Sequence, residues 1–462
     1  MCDVVSSRPA FRAAGSRRRS KLVDSEGALP PFRYLLAGLI LQLPLVALLA
    51  FLAVVAGCHI SPSGDVVLRF WAMGREGEVV TQLVPEFERT HPGVRVVVQQ
   101  LPWTAAHEKL LTAFVGEATP DVCQLGNTWI PELVALGALE PLDHRARTSA
   151  AVAPDQYFPG IWDTNQVGGQ LYGIPWYVDT RLLFYRRDLL RQAGFSQPPV
   201  SWSDWKTMLA AIQARGNPER HPILLPLNEV EPLVALALQG GEPLLRDDGR
   251  WGNFDSPGFR RALSLYLEMF QRGWAPRVAQ ADSTNVWTDF GRGVFVFYIS
   301  GPWSIGEFER RLPANVQSTW TTAPLPGPDG PGASIAGGSS LVIFRRSRHA
   351  EAAWQLVEYL STPAVQRRFY ELTGDLPPRR DSWAALALGP DDKADAFRQQ
   401  LERVRSVPRV PEWERIANEM RLVAERAVYG RLSVDGAARE LDTRVDRILD
   451  KRRWLLARGG LR

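Results

Sequence analysis

Six histidines are scattered along the chain, and no two stand at the spacing by which a helix or loop offers paired nitrogens to a metal ion. His107-Glu108 would begin a zinc-protease helix only with a second histidine at the place that Leu111 occupies. There is no Gly-x-Ser-x-Gly elbow to expose a nucleophilic hydroxyl. A phosphate-cradling P-loop and a Gly-x-Gly-x-x-Gly turn after a strand are also missing from the sequence. Asp247-Asp248-Gly249 starts like a calcium loop but lacks the acidic twelfth ligand, and reads as a tight turn. Glu86/Glu88 and Glu229/Glu231 are carboxylate pairs from which a glycosidase could draw an acid and a base. Nothing in their spacing brings either pair to a shared bond, so solvated surface is the expectation for both. No catalytic residue, cofactor or metal ligand is expected, and the balance moves toward binding. Sixteen tryptophans are the unusual resource left to explain.

The elements that would hold such a site are those of an exported protein. At 462 residues the chain exceeds what one hydrophobic core organises, and 45% hydrophobic against 23% charged residues is a globular balance. Its net charge of +4 comes from the N-terminal region, where Arg8, Arg12, Arg17, Arg18, Arg19, Lys21 and Arg33 face three acids. The rest is neutral, which argues against nucleic acid as a partner. From Tyr34 to Gly57 no charge occurs, long enough for a helix to enter a bilayer with the arginines on the cytoplasmic side. Val55-Ala56-Gly57-Cys58 resembles a bacterial lipobox, with Cys58 as the lipidated residue. An uncleaved N-terminal anchor helix is the alternative. Both place the remainder on the periplasmic or extracellular side, tethered to the membrane. Three cysteines make no disulfide framework, and Cys123 is expected as a small buried apolar group.

Beyond Cys58, strand-like and helix-like stretches alternate. Val66–Trp71 and Val94–Val98 read as strands, with a helical stripe Val79/Val80, Leu83, Phe87 between them that holds Pro85 as an awkward interior residue. Such a unit calls for parallel pairing and a right-handed crossover. A helix follows around Leu110, Leu111 and Phe114, then a strand Asp121–Leu125 and a helix closed by Gly137. Later strands are expected at Leu182–Tyr185, Val294–Ile299 and Leu341–Phe344, with helices at Phe259–Gln271 and Ala350–Leu360. Past Pro363 strands cease. Ile416, Met420, Val423 and Ala427 mark a helix closed by Gly430, and Ser433 caps another.

Read in order, several segments resemble family 1 extracellular solute-binding proteins, the sugar-binding receptors of ABC importers. They are Pro120-Asp121-Val122 with Gly126-Asn127-Thr128-Trp129-Ile130, then Gly137-Ala138-Leu139-Glu140-Pro141-Leu142-Asp143, and the long run from Leu171 through Arg181 to Leu190. Phe290-Gly291-Arg292-Gly293 with Gly301-Pro302-Trp303, Gly337–Ile343, and Thr373-Gly374-Asp375-Leu376-Pro377 complete the set, which spans roughly residues 66–450. The resemblance implies an α/β fold of the two-lobed, type II periplasmic-binding-protein kind with a helical C-terminal tail, preceded by the signal or anchor helix. Residues 1–57 would be the basic region and signal segment. Residues 58–177 plus 334–375 would form the N-terminal lobe, and 178–333 plus 376–462 the C-terminal lobe with its tail. A monomer would capture a mono- to oligosaccharide between the lobes and deliver it to the permease subunits of the importer. The same fold could instead take a polyamine, an iron chelate or a phosphodiester, and a surface glycosidase is a more distant reading.

A sugar site stacks aromatic rings on C–H faces and rings the hydroxyl edge with polar groups. Trp303, Trp129 and Asn127 are the first candidates by position in the resemblance, with Asp179 where the family's crossover carries a sugar-binding carboxylate. Asp179 could equally form a hinge salt bridge with Arg181. Tyr177 and Arg181 adjoin it. Glu76 would add a polar contact or compensate a helix N-terminus. Trp103 would stand at the cleft edge, Gly338 and Ser339 would present backbone, and Asp375 is the last candidate. Trp413 is expected to pack the tail. Ala417 stands where the maltose-binding pattern has an aromatic residue, so that pattern's ligand size does not transfer.

Overall fold

The computed structural model describes residues 65–215, 220–278, 285–384, 386 and 393–459; Cys58 and the apolar run before it lie outside these. Val66–Met73, rich in β-branched and aromatic residues, is a strand whose last four residues are buried on both faces. Leu68, Phe70 and Ala72 enter one apolar cluster, and Trp71 and Met73 another. It pairs in parallel with Val94–Leu101 on one side and Val122–Gly126 on the other. Between the first two strands the single expected helix is in fact two, Gly74–Val80 and Val84–Thr90. Pro85 lies in the first turn of the second helix, where a missing N–H leaves no bond unmade. The next helix begins at Trp103, earlier than its apolar stripe indicates, because Pro102 sets its start.

Gly337–Ile343 returns antiparallel to both Val122–Gly126 and Ile174–Asp179, completing a five-stranded sheet. A second sheet has the order Trp320–Ala323, Leu182–Arg186, Phe295–Ser300, His221–Leu224. Its central strands also feed two clusters, Leu183 and Tyr185 one, Leu182 and Phe184 the other. The outer strands Trp320–Ala323 and His221–Leu224 were not apparent from sequence, being four residues each. Gly337–Ile343 also begins four residues before the apolar run that marked it.

The tail helices Trp413–Val428 and Val434–Ile448 pack on each other and on Pro257–Gln271. Gly430 takes the left-handed conformation that ends the first, and Ser433 Oγ accepts the Gly436 N–H to cap the second. One expectation about the tail fails. Val404–Arg405 is a short strand, paired in parallel with Ser334–Ile335. Asp247-Asp248-Gly249 is a turn with three successive positive φ values, joining Leu245–Arg246 to Trp251–Gly252. Cys123 is fully buried, and that burial pushes its thiol pKa far up. Among the described residues no helix is long and apolar enough to cross a membrane.

The tightest backbone approach is between the crossing strands. A Cβ on Gly338, whose φ is +140°, would stand 2.2 Å from the Tyr177 carbonyl oxygen. Gly338→Ala is therefore expected to cost roughly 2–6 kcal/mol, from about 1–3 for backbone strain and about 1–3 for the clash. Urea unfolding measures it; a loss under about 0.5 kcal/mol would mean that the strands separate freely.

Candidate functional site

The carboxyl ends of the three parallel strands open onto a cavity of about 720 Å³ bounded by elements of both sheets. All eleven residues named from the sequence line it. Glu76 comes from the first turn after Val66–Met73, Trp103 from the first residue after Pro102, and Asn127 and Trp129 from the short 3₁₀ turn after Val122–Gly126. Tyr177 and Asp179 belong to one crossing strand and Gly338 and Ser339 to the other. Asp375 follows the helix Pro363–Thr373 across the left-handed Gly374. Arg181 and Trp303 face them from the second sheet's side.

Their partners divide these residues into two kinds. Asn127 donates its side-chain N–H to the Ala336 carbonyl at 3.0 Å, so its amide is committed to the returning segment. Tyr177 Oη accepts from Ser339 Oγ and from Gln124 Nε2, each at 3.0 Å, and donates to Glu76. Gln124, expected from sequence only as part of a strand, is wholly buried and also accepts the Met73 N–H at 2.7 Å. This group ties the strands together beneath the cavity. The indoles are freer. Trp103 is 37% exposed, with Trp129 set edge-on to it at 5.7 Å.

Carboxyl groups gather here to an unusual degree. Glu76 accepts hydrogen bonds from Tyr177, Trp103 and Asp375, and burial still raises its pKa above the ordinary value. Asp375 is raised well above, by burial first and by the Glu76 charge second, so the pair shares one proton with Asp375 donating. Burial also raises Asp179, against the opposing pull of Arg181. Asp179 and Arg181 form the expected ion pair while both still line the cavity.

Two expectations are corrected. Glu229 is not solvated surface, and Glu231, whose side chain stays 41% exposed, is solvated only in part. Glu231 opens a helix at the cavity wall with its carboxylate 3.7 Å from Arg181, and burial pushes Glu229 up to about 7. Trp413 does not merely pack the tail; it is 4% exposed, yet it lines the cavity from the first position of its helix. Its neighbour Glu414, raised by burial, accepts a hydrogen bond from Thr128 across the cavity. One signal could have found Trp413. Like Trp103 and Trp303 it is the first residue of its helix, with a proline close upstream: Pro102 and Pro302 directly before those two, and Pro411 two residues before Trp413. Among the described residues no group of three His, Cys, Asp or Glu is arranged to hold a metal ion.

The Asp375 proton has a thermodynamic signature. Because the folded pKa lies above the unfolded one, its stabilising contribution is complete below about pH 4 and is lost as pH rises through the folded value. Asp375→Asn cannot titrate. Its stability relative to the parent protein is therefore expected to increase from about pH 4 upward and level off once Asp375 ionises. Urea midpoints at about pH 4, 6 and 8 measure this, and a gap that ignores pH would contradict the buried pair.

The family model for bacterial extracellular solute-binding proteins matches residues 73–367. The structure of the sugar-binding protein MalE from the phytopathogen Xanthomonas citri is 56% identical, covers 85% of this chain and 99% of that one, and superposes with a TM-score of 0.82. An ABC-transporter solute-binding protein of Thermotoga lettingae, solved with α-D-tagatose, is 25% identical over 83% of this chain and all of that chain, with a TM-score of 0.72. The diacetylchitobiose-binding protein of Streptomyces coelicolor is 23% identical over 73% of this chain and 78% of its own. The two-sheet α/β architecture is thus that of the two-lobed periplasmic binding proteins, and the chain belongs to the bacterial extracellular solute-binding protein family.

Proposed function

We propose that this protein is the receptor of an ABC importer for an uncharged mono- to oligosaccharide, which it binds between its lobes and passes to the permease without covalent chemistry. One observation carries the reading: Trp103, Trp129, Trp303 and Trp413 line a single cavity whose polar wall includes the carboxyl groups of Glu76, Asp179, Glu231, Asp375 and Glu414. Indoles suit the C–H faces of a pyranose. Ionised carboxylates accept hydrogen bonds and donate none, so they suit a ligand rich in hydroxyl donors. Asp179, Glu231 and Glu414 stand where such hydroxyls would point. Closing the lobes would remove these contacts from water and strengthen them. The relatives support the same reading: their names and titles include a sugar-binding protein and binders of tagatose and diacetylchitobiose. A polyamine would find carboxylates here too, but the indoles and Arg181 favour the sugar.

The protein would work as a monomer held outside the cell by lipid on Cys58. A multiply acylated cysteine anchors firmly, at about 0.8 kcal/mol per buried methylene. Cys58→Ser should release the protein from membranes into the soluble fraction. Unchanged attachment would assign the tether to the apolar run before it.

Tryptophan fluorescence of stripped protein against a panel of neutral sugars, uronates, polyamines and iron chelates tests the ligand class. A neutral sugar should bind, and Trp303→Ala should weaken it about ten- to hundredfold through lost stacking and apolar contact. Binding of polyamines or chelates with no response to any sugar would overturn the assignment.

A further inference from the structure

Arg181 is a cation in a cavity proposed for a neutral ligand, and its terminal nitrogens face two carboxylates. Its side chain is 11% exposed. One terminal nitrogen donates to Asp179 Oδ1, and the other lies 3.7 Å from Glu231 Oε1. Nε is buried without a partner. Even the backbone is held, since the Arg181 carbonyl accepts the Ser334 hydroxyl at 2.6 Å. What the guanidinium does cover is an indole: its central carbon sits 4.7 Å from the Trp303 ring centroid. Two carboxylates thus fix a planar cation, and the planar cation lies over the ring.

Trp303 needs such a restraint. It is the first residue of its helix, so the turn that would normally lie over a helical side chain is missing. The ring folds back over its own chain. A Cβ on Gly301 would fall 1.8 Å from the indole Cζ3, so glycine two residues upstream is a steric requirement of this orientation. Gly301 makes the pose possible, and it cannot hold the ring there. An attractive contact must do that, and Arg181 supplies it.

We infer that Arg181 is a positioning residue, which holds the Trp303 indole in the orientation that receives the ligand and reserves a single face of the ring for it. This deepens the carbohydrate reading and rests on it for the identity of the ligand. It also changes the role expected of Arg181, from ligand contact to support. Asp179 and Glu231 then act at one further remove, by keeping the guanidinium over the ring. Asp179 ends a strand of the first sheet, whereas Glu231 and Trp303 begin helices of the second, so the support spans the junction of the lobes.

The test uses the mature protein labelled with 5-fluorotryptophan, its Trp303 fluorine signal assigned with Trp303→Phe. Arg181→Lys keeps the charge and removes the flat guanidinium. Without ligand, the Trp303 line should be narrow in the parent protein and broadened or split in the variant. Affinity for the sugar found in the panel should fall about tenfold. Gly301→Ala should disturb the same line from the steric side, which guards against a misfolded lysine variant. An unchanged line overturns the inference, whether affinity holds or falls, since a fall alone would make Arg181 a direct contact. A broadened line with full affinity overturns it as well. Because the fluorine signal is read without ligand, failure of the carbohydrate reading leaves a separate record.

Discussion

Two crossing strands, Ile174–Asp179 and Gly337–Ile343, lie so close that no side chain fits between them at their cavity end, and the site is built outward from that contact. Gly337 and Gly338 face the Asp179 and Tyr177 carbonyls, where any Cβ would come within 2.2 Å. Bringing the strands together places Ser339 against Tyr177, and Gln124 joins both. The three buried polar groups satisfy one another, so they specify one register. Tyr177 can then spend its proton on Glu76. A longer residue at 338 would part the strands and leave buried hydroxyl and amide groups unpaired, each costing about 1–3 kcal/mol.

The carboxyl groups above this floor are expensive. Burial alone disfavours every one that ionises, and the raised values of Glu76, Asp179, Asp375, Glu229 and Glu414 record that cost. Three devices offset it. Glu76 and Asp375 share a proton, Asp179 and Glu231 share Arg181, and helix beginnings at Trp103, Glu231, Trp303 and Trp413 turn partial positive charge toward the cavity. None supplies all the hydrogen bonds that these oxygens can accept. A ligand bearing several hydroxyls would, and under the proposed function that unmet capacity would discriminate between epimers, because a misplaced hydroxyl would strand a desolvated carboxylate.

Much of this was legible in the residues, and the parts that were not have physical reasons. Strand-rich segments with β-branched runs declared themselves, as did the Ser433 cap and the Gly430 stop. Pro85 was legible as an awkward residue inside one helix, and it instead stands in the first turn of a second, where a proline is readily accommodated. Four-residue strands such as His221–Leu224 have too few positions to show a period. Positions 337 and 338 carry glycines, so the start of the returning strand has no side-chain pattern to read. The cavity residues were reached by resemblance of ordered motifs, and composition alone would not have gathered them. Glu231 and Trp413 escaped because a carboxylate and an indole near a helix start have common duller explanations, and only the chain's path removes those.

Gly301 shows how far sequence can be pressed once the geometry is known. In Gly301-Pro302-Trp303 each residue answers a separate demand. The proline fixes the helix entrance at φ −59°, the tryptophan takes the first helical position, and the glycine clears the volume into which the ring folds. The motif therefore encodes an orientation as well as a residue type, and tryptophan placed elsewhere on the same helix would present a different face. Nothing in it encodes the force that keeps the ring folded. That force comes from Arg181, more than a hundred residues earlier, and Arg181 is itself fixed by two carboxylates from opposite sides of the junction. The local motif supplies permission and the tertiary charge network supplies the constraint, so a chain that kept the motif and lost the network would retain the aromatic platform without its aim.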